Sequence, residues 1–212
     1  MRNRVARAEA LLGVAALVLL AAGPCEAAGA GQVNLFGGIK SLDDSVWEPA
    51  ESQPEFGVEI SVGGAGWPVM IAIDGFMSED EADEGALTRT GSTRELALGV
   101  RKIWQKGRVH PYIGGGLNHI EAEVETDAPP PPATPGLNFF PEPDPDGGTT
   151  SDSDSGFGAW AGGGIFWRLG PYVNLGVSVR LSGANVEFRD EEAQAGGLHA
   201  GVLLGFGWPA AK

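Results

Sequence analysis

The sequence predicts an all-β fold: an eight-stranded antiparallel up-and-down barrel that spans a membrane with its strands, preceded by a cleaved signal peptide. Three observations predict it. Apolar residues alternate with small or polar ones in eight separate runs, and the connections between the runs are short and long by turns. Four tryptophans also share the apolar parity at the short-turn end of the runs.

The first segment is an address. Arg2, Arg4 and Arg7 precede an apolar run from about Leu11 to Ala22, and small residues follow through Ala27, Ala28 and Ala30. This is the layout of a secretory signal over residues 1–30, with cleavage between Ala27 and Ala30. The run is shorter than the roughly 20 residues a spanning helix needs. Pro24 stands where a lipid-modified chain would carry a small residue before its cysteine, so Cys25 is expected to leave with the signal. Disulfides, thiol catalysis and cysteine metal sites are then not expected.

The remaining chain suffices for one domain, 31–208, with a short tail at 209–212. The net charge of −14 makes it a poor partner for nucleic acid. Strands are read at about 32–40, 55–63, 67–77, 94–104, 109–119, 156–168, 172–182 and 197–208. A strand of ~10 residues at ~3.4 Å each, tilted by ~45°, covers the ~25 Å apolar band of an outer membrane. Short turns join the second and third runs (Gly64-Ala65-Gly66), the fourth and fifth (Gln105 to Arg108) and the sixth and seventh (Leu169-Gly170-Pro171). Long connections fall at about 41–54, 78–93, 120–155 and 183–196. Tight periplasmic turns and longer extracellular loops are the rhythm of an outer-membrane barrel. The first run must pair with the last, because hydrocarbon tolerates no free sheet edge.

Parity assigns the faces. Val173, Leu175, Val177, Val179 and Leu181 share one side of the seventh run, against Asn174, Gly176, Ser178, Arg180 and Ser182. The non-apolar side of the runs is rich in Gly, Ser and Ala, and the chain holds 34 glycines. Exposed glycine weakens a strand, so small residues fit the interior of a narrow barrel better than a wet surface. Trp67, Trp104, Trp167 and Trp208 are expected to form a girdle at the periplasmic membrane boundary, with Tyr172 nearby on the opposite parity. Lys40, Glu59, Asp74, Glu95, Arg101, Arg180 and His199 all take the inward parity and are expected to build an interior polar network. An arginine facing mid-bilayer instead would cost ~2–4 kcal/mol. Lys102 is the outward exception, near a strand end where the cost is only ~0–1 kcal/mol.

Pro111-Tyr112-Ile113-Gly114-Gly115-Gly116-Leu117, Gly162-Gly163-Gly164-Ile165 and Gly205-Phe206-Gly207-Trp208 resemble strands of the OmpA-type and related small outer-membrane β-barrel domains. The resemblance covers about 32–208 and implies residence in the bacterial outer membrane and insertion by the barrel-assembly machinery. Family members commonly end on an aromatic residue; here Pro209 to Lys212 follow Trp208. The peptidoglycan-binding domain of longer relatives is not expected.

Catalysis and cofactors are not expected. His110 lies at the periplasmic end, His119 has no serine near it in sequence, and His199 points inward. The reading is a monomeric structural, envelope or surface-interaction protein with a lumen plugged by charged and bulky residues, among them Met70, Phe76, Trp160 and Phe166. Its partners are outer-membrane lipid and lipopolysaccharide, the latter met by acidic loops through bridging divalent ions. The alternatives are a narrow channel for small solutes or apolar ligands, a lipid-modifying enzyme and a soluble periplasmic barrel. The loop 120–155 is the expected contact for a surface ligand. Leu137, Phe139 and Phe140 within it read either as a recognition patch or as a cover over the mouth. Asp144, Asp146, Asp152 and Asp154 are its metal candidates, but they lack the D-x-D-x-D-G spacing and closing glutamate of a calcium loop.

Overall fold

A computed structural model describes residues 29–42, 47–48, 51–64, 66–84, 87–105, 107–127, 149–188 and 191–208. Residues 1–28, which cover most of the expected signal, the tail and residues 128–148, with Asp144, Asp146 and the Leu137–Phe140 stretch, lie outside the described residues.

Period-2 alternation becomes nine strands: β1 (Gly29–Ser41), β2 (Ser52–Gly64), β3 (Met70–Glu84), β4 (Leu87–Ile103), β5 (Val109–Asp127), β6 (Thr149–Leu169), β7 (Val173–Phe188), β8 (Glu191–Gln194) and β9 (Gly197–Trp208). Eight of them close a barrel in the order β1-β2-β3-β4-β5-β6-β7-β9. The expected closure of first run on last is present, antiparallel from Gly31 opposite Trp208 to Ser41 opposite Leu198. β8 is a short strand added to the far end of β7. Among the described residues no helix is long and apolar enough to cross a membrane.

The short turns lie where the sequence puts them. Gly66, Gly107 and Gly170 each sit in one, with φ of 81°, 75° and 69°. That left-handed backbone is open to glycine at little cost and is strained for most other residues. The third strand begins at Met70 rather than Trp67, because Trp67 N–H donates to the Gly64 carbonyl at 3.1 Å and closes the turn. Tyr172 also belongs to a turn and is exposed, so strand parity does not apply to it.

The long connections are the main correction. Most of 78–93 and the outer parts of 120–155 and 183–196 are strand, not loop. β3 and β4 stay paired to Glu84 opposite Leu87, and β5 and β6 to Asp127 opposite Thr149. Outward positions there are polar (Glu79, Glu81, Asp83, Thr88, Thr90 and Ser92). The hydrogen-bonded ladder continues past the point where the apolar parity stops, so hydropathy alternation ends before the strand does.

Leu98 is 60% and Val202 59% exposed, with Val177 also outward, while Arg101 and Arg180 are buried. The barrel is therefore inside-out, with an apolar belt around an ionic axis. Phe36, Phe76, Tyr112, Phe166 and Leu203 fill the lumen towards the short turns, and Ala72, Ala97 and Trp160 fill its waist. Leu42, Trp47, Ile120, Ala184 and Val186 form a separate apolar cluster at the long-loop end.

Candidate functional site

Alternation sends every second side chain inward, and the register stacks those of different strands in layers. Glu59 of β2 lies opposite Asp74 of β3, and Arg101 of β4 lies opposite Met70. Arg101 donates to Asp74 at 2.9 Å and to Ser61 at 2.9 Å, and its guanidinium is 3.4 Å from Glu59. Arg180 donates to the same Asp74 oxygen at 3.1 Å and pairs with Glu95. The result is a row, Glu59–Arg101–Asp74–Arg180–Glu95, crossing the lumen. Aromatic faces close over the cations: Arg180 lies 4.2 Å from the Trp160 ring and 4.8 Å from Phe76, and Arg101 lies 5.2 Å from Tyr112. Carboxylates and ring faces surround both guanidiniums, while Arg101 Nε and Arg180 Nε are left without a hydrogen-bond partner in the protein.

Above the row, Lys40 donates to Thr93 at 2.8 Å and to the Ala195 carbonyl at 3.0 Å. His199 sits between Glu55, 2.8 Å from Nδ1, and Ser182, 2.8 Å from Nε2. Below it, Tyr112 donates to Ser178 at 2.8 Å, and Ser178 donates to Glu59 at 3.2 Å. All seven network residues read from the sequence are buried and lie within this one lumen. Glu55, Gln53, Tyr112, Asn118 and Ser182 were not among them. Glu55 shares the parity of Glu59 four residues on, and that spacing was the available signal. The hydroxyls and amides carried none, because Ser and Asn suit either face.

Ser182, His199 and Glu55 have the contact order of a serine-hydrolase triad. The sequence reading gives His199 no serine on a neighbouring strand; β7 pairs directly with β9, and this brings Ser182 to it. The chemistry does not follow from the contacts. Ser182 also lies 2.9 Å from Glu95, a second carboxylate that competes for its proton, and His199 and Glu55 are fully buried. A nucleophile needs a committed base and a reachable substrate. The arrangement is a hydrogen-bond chain, Glu55–His199–Ser182–Glu95, tying β2, β9, β7 and β4 together. The other histidines lie against aromatic rings: His110 is stacked on Phe166 at 5.1 Å, and His119 is tilted against the outward Phe157 at 4.7 Å.

Trp67, Trp104, Trp167 and Trp208 are all exposed on the outer face at the short-turn end, from 37% for Trp208 to 58% for Trp67. Trp47, which no sequence pattern marked, is buried at the opposite end, where its indole N–H donates to the Gln194 carbonyl at 2.8 Å. Lys102 reaches the Pro68 carbonyl at 2.6 Å. Of the described metal candidates, Asp154 accepts from the Glu187 backbone N–H at 2.7 Å. That bond, then the N–H of Ser155, holds its carboxyl below the usual aspartate range. Among the described residues no group of three or more His, Cys, Asp or Glu is placed to hold a metal ion.

No protein-family model matches the sequence, and no curated protein sequence matches it. Solved structures do match its fold. A major outer membrane protein of Thermus thermophilus superposes with a TM-score of 0.55 at 11% identity, over 85% of this chain and 98% of that one. The outer membrane protein OprG of Pseudomonas aeruginosa gives 0.53 at 12% identity, over 85% and 97%. The attachment invasion locus protein Ail of Yersinia pestis, solved with the heparin analogue sucrose octasulfate, gives 0.52 at 11% identity, over 84% and 97%. With closed register, an apolar belt and an ionic axis, the chain has the fold of these small proteins, an eight-stranded antiparallel transmembrane β-barrel.

Proposed function

We propose that the protein is an integral, monomeric barrel of the bacterial outer membrane, with a structural or surface-interaction role and a lumen that does not conduct. The observation that carries this reading is the row from Glu59 to Glu95, packed between Trp160, Phe76 and Tyr112. An eight-stranded barrel has room for little more than its own side chains, and here they are large and mutually bonded. The outward tryptophans sit at the periplasmic headgroup level, and the barrel-assembly machinery inserts the chain. Outside the membrane, the paired extensions of β3 to β6 carry acidic outward residues towards lipopolysaccharide, met through divalent ions. The β5 and β6 extensions belong to the segment 120–155, which contacts a surface ligand.

Single-channel recording on purified protein in planar bilayers tests the closed lumen. Discrete conductance steps would replace this reading with a narrow channel. Placement is tested by sarkosyl fractionation with heat-modifiability on a gel: the folded barrel stays with the insoluble envelope and migrates faster unheated. Melting in lipopolysaccharide-containing bilayers should fall when calcium is replaced by chelator, and identical melting would remove the divalent bridge.

A further inference from the structure

We propose that the short-turn mouth of the lumen is a binding site for a phosphate-type oxyanion, built around Arg168. Its backbone N–H donates to the Arg108 carbonyl at 2.9 Å, which sets Arg168, near the end of β6, beside Arg108 in the turn before β5. Both line an open cleft of about 450 Å³ with Gly107, Leu169 and Gly170. The short turns 64–66, 105–108 and 169–171 contain no Asp or Glu. Among the described residues no carboxylate lies within ion-pair distance of Arg168.

The Arg168 side chain is held inward by a relay. Its Nε donates to Asn174 Oδ1 at 3.3 Å, and Asn174 Nδ2 donates to Asn34 Oδ1 at 3.1 Å. The guanidinium lies over Gly207, where a Cβ would come within 2.5 Å of Nη2. Glycine at 207 is therefore the space the arginine occupies. Gln32 faces Gly207 across the β1–β9 register, and Asn34 lies two residues further along the same side of β1.

These neighbours are donors without acceptors. Gln32 Nε2 and Asn34 Nδ2 are buried, the residues 2% and 0% exposed, and neither atom has a partner in the protein. His110 is stacked on Phe166, the ring over which Arg168 also lies at 5.9 Å. A buried donor is expected to find an acceptor, and a guanidinium fork beside two amides suits the oxygens of a phosphate group. That group comes either from free phosphate or from a phospholipid headgroup at this end of the barrel.

The test uses side-chain amide NMR on the full barrel with Asn34 and Gln32 as reporters. In maltoside micelles, inorganic phosphate is titrated; in a second arm, phosphatidylglycerol nanodiscs replace the micelles without added phosphate. Saturable shifts in the first arm identify free phosphate, and shifts in the second alone identify the headgroup. Arg168→Gln, checked for folding by heat-modifiability, should weaken the phosphate response about tenfold or more, or abolish the nanodisc shift. Gly207→Ala should act in the same direction by filling the cradle. Unmoved reporters in both arms, or an undiminished response in Arg168→Gln, would overturn the site.

Discussion

The wall of this barrel has two storeys, and their polarities are opposite. In β5, Ile113 and Leu117 face out while Tyr112 and Asn118 face in; a few residues later Glu121 faces out while Ile120 and Ala122 face in. β7 repeats the change, from Leu181 outward and Arg180 inward to Glu187 outward and Val186 inward. The ladder is continuous through both storeys, so backbone pairing does not cause the inversion. Surroundings do. The lower storey must be apolar outside and can hold ions within, whereas the upper one is built like a small soluble domain around Trp47 and Ile120. The level at which the inversion falls marks the edge of the hydrocarbon.

The sharpest way to break this comparison is to remove a lower-storey ion. Arg180→Met leaves Glu95 without its arginine and Asp74 with Arg101 alone, a loss of about 3–5 kcal/mol in urea unfolding from bilayers. Adding Glu95→Gln should recover part of it, by about 0.5–3 kcal/mol of coupling. Strict additivity would mean that the two do not act as a pair. Next in size is a charge on the belt. Leu98→Arg should cost ~2–4 kcal/mol, whereas Ser92→Arg, six residues along the same outward face, should stay within ~0.5 kcal/mol. Equal costs would put the boundary at the wrong level.

That inversion also explains what the sequence made legible. The alternation predicts strands that end at His119 and Ser182, which is where the apolar parity changes sides, although β5 runs on to Asp127 and β7 to Phe188. A period-2 pattern announces a strand only while its two faces keep their character. Most charged members of the lumen stand out because Arg and Glu are costly on an apolar face; Glu55 and Arg168, at the ends of their runs, do not. Ser182 and Tyr112 did not, since a hydroxyl is cheap on either side. Trp47 was illegible for another reason: it enters the upper core from a connection, and its seat depends on Gly91 and Gln194, both distant in sequence.

The upper storey is tested by smaller changes. Ile120 is fully buried there, so Ile120→Val should cost about 0.5–1.5 kcal/mol, while Glu121→Ser beside it should change unfolding by less than ~0.5 kcal/mol. The reverse ranking would deny that this storey has a core of its own.

The smallest effect concerns the polar rim, where Asp154 caps the exposed edge of β7 through the Glu187 N–H. Its folded pKa is depressed below the ordinary value of 3.8. The contact therefore contributes fully above that value and is lost only as pH falls through the lower, folded one. The Glu187 amide resonance should hold steady from neutral pH downwards and move with a midpoint below the ordinary aspartate value. In Asp154→Asn, which keeps an acceptor but no charge, that titration should vanish while the barrel unfolds as before. A midpoint at or above the ordinary value would mean that the carboxylate does not hold this bond. The outer ends of β6 and β7 would then lack this side-chain contact.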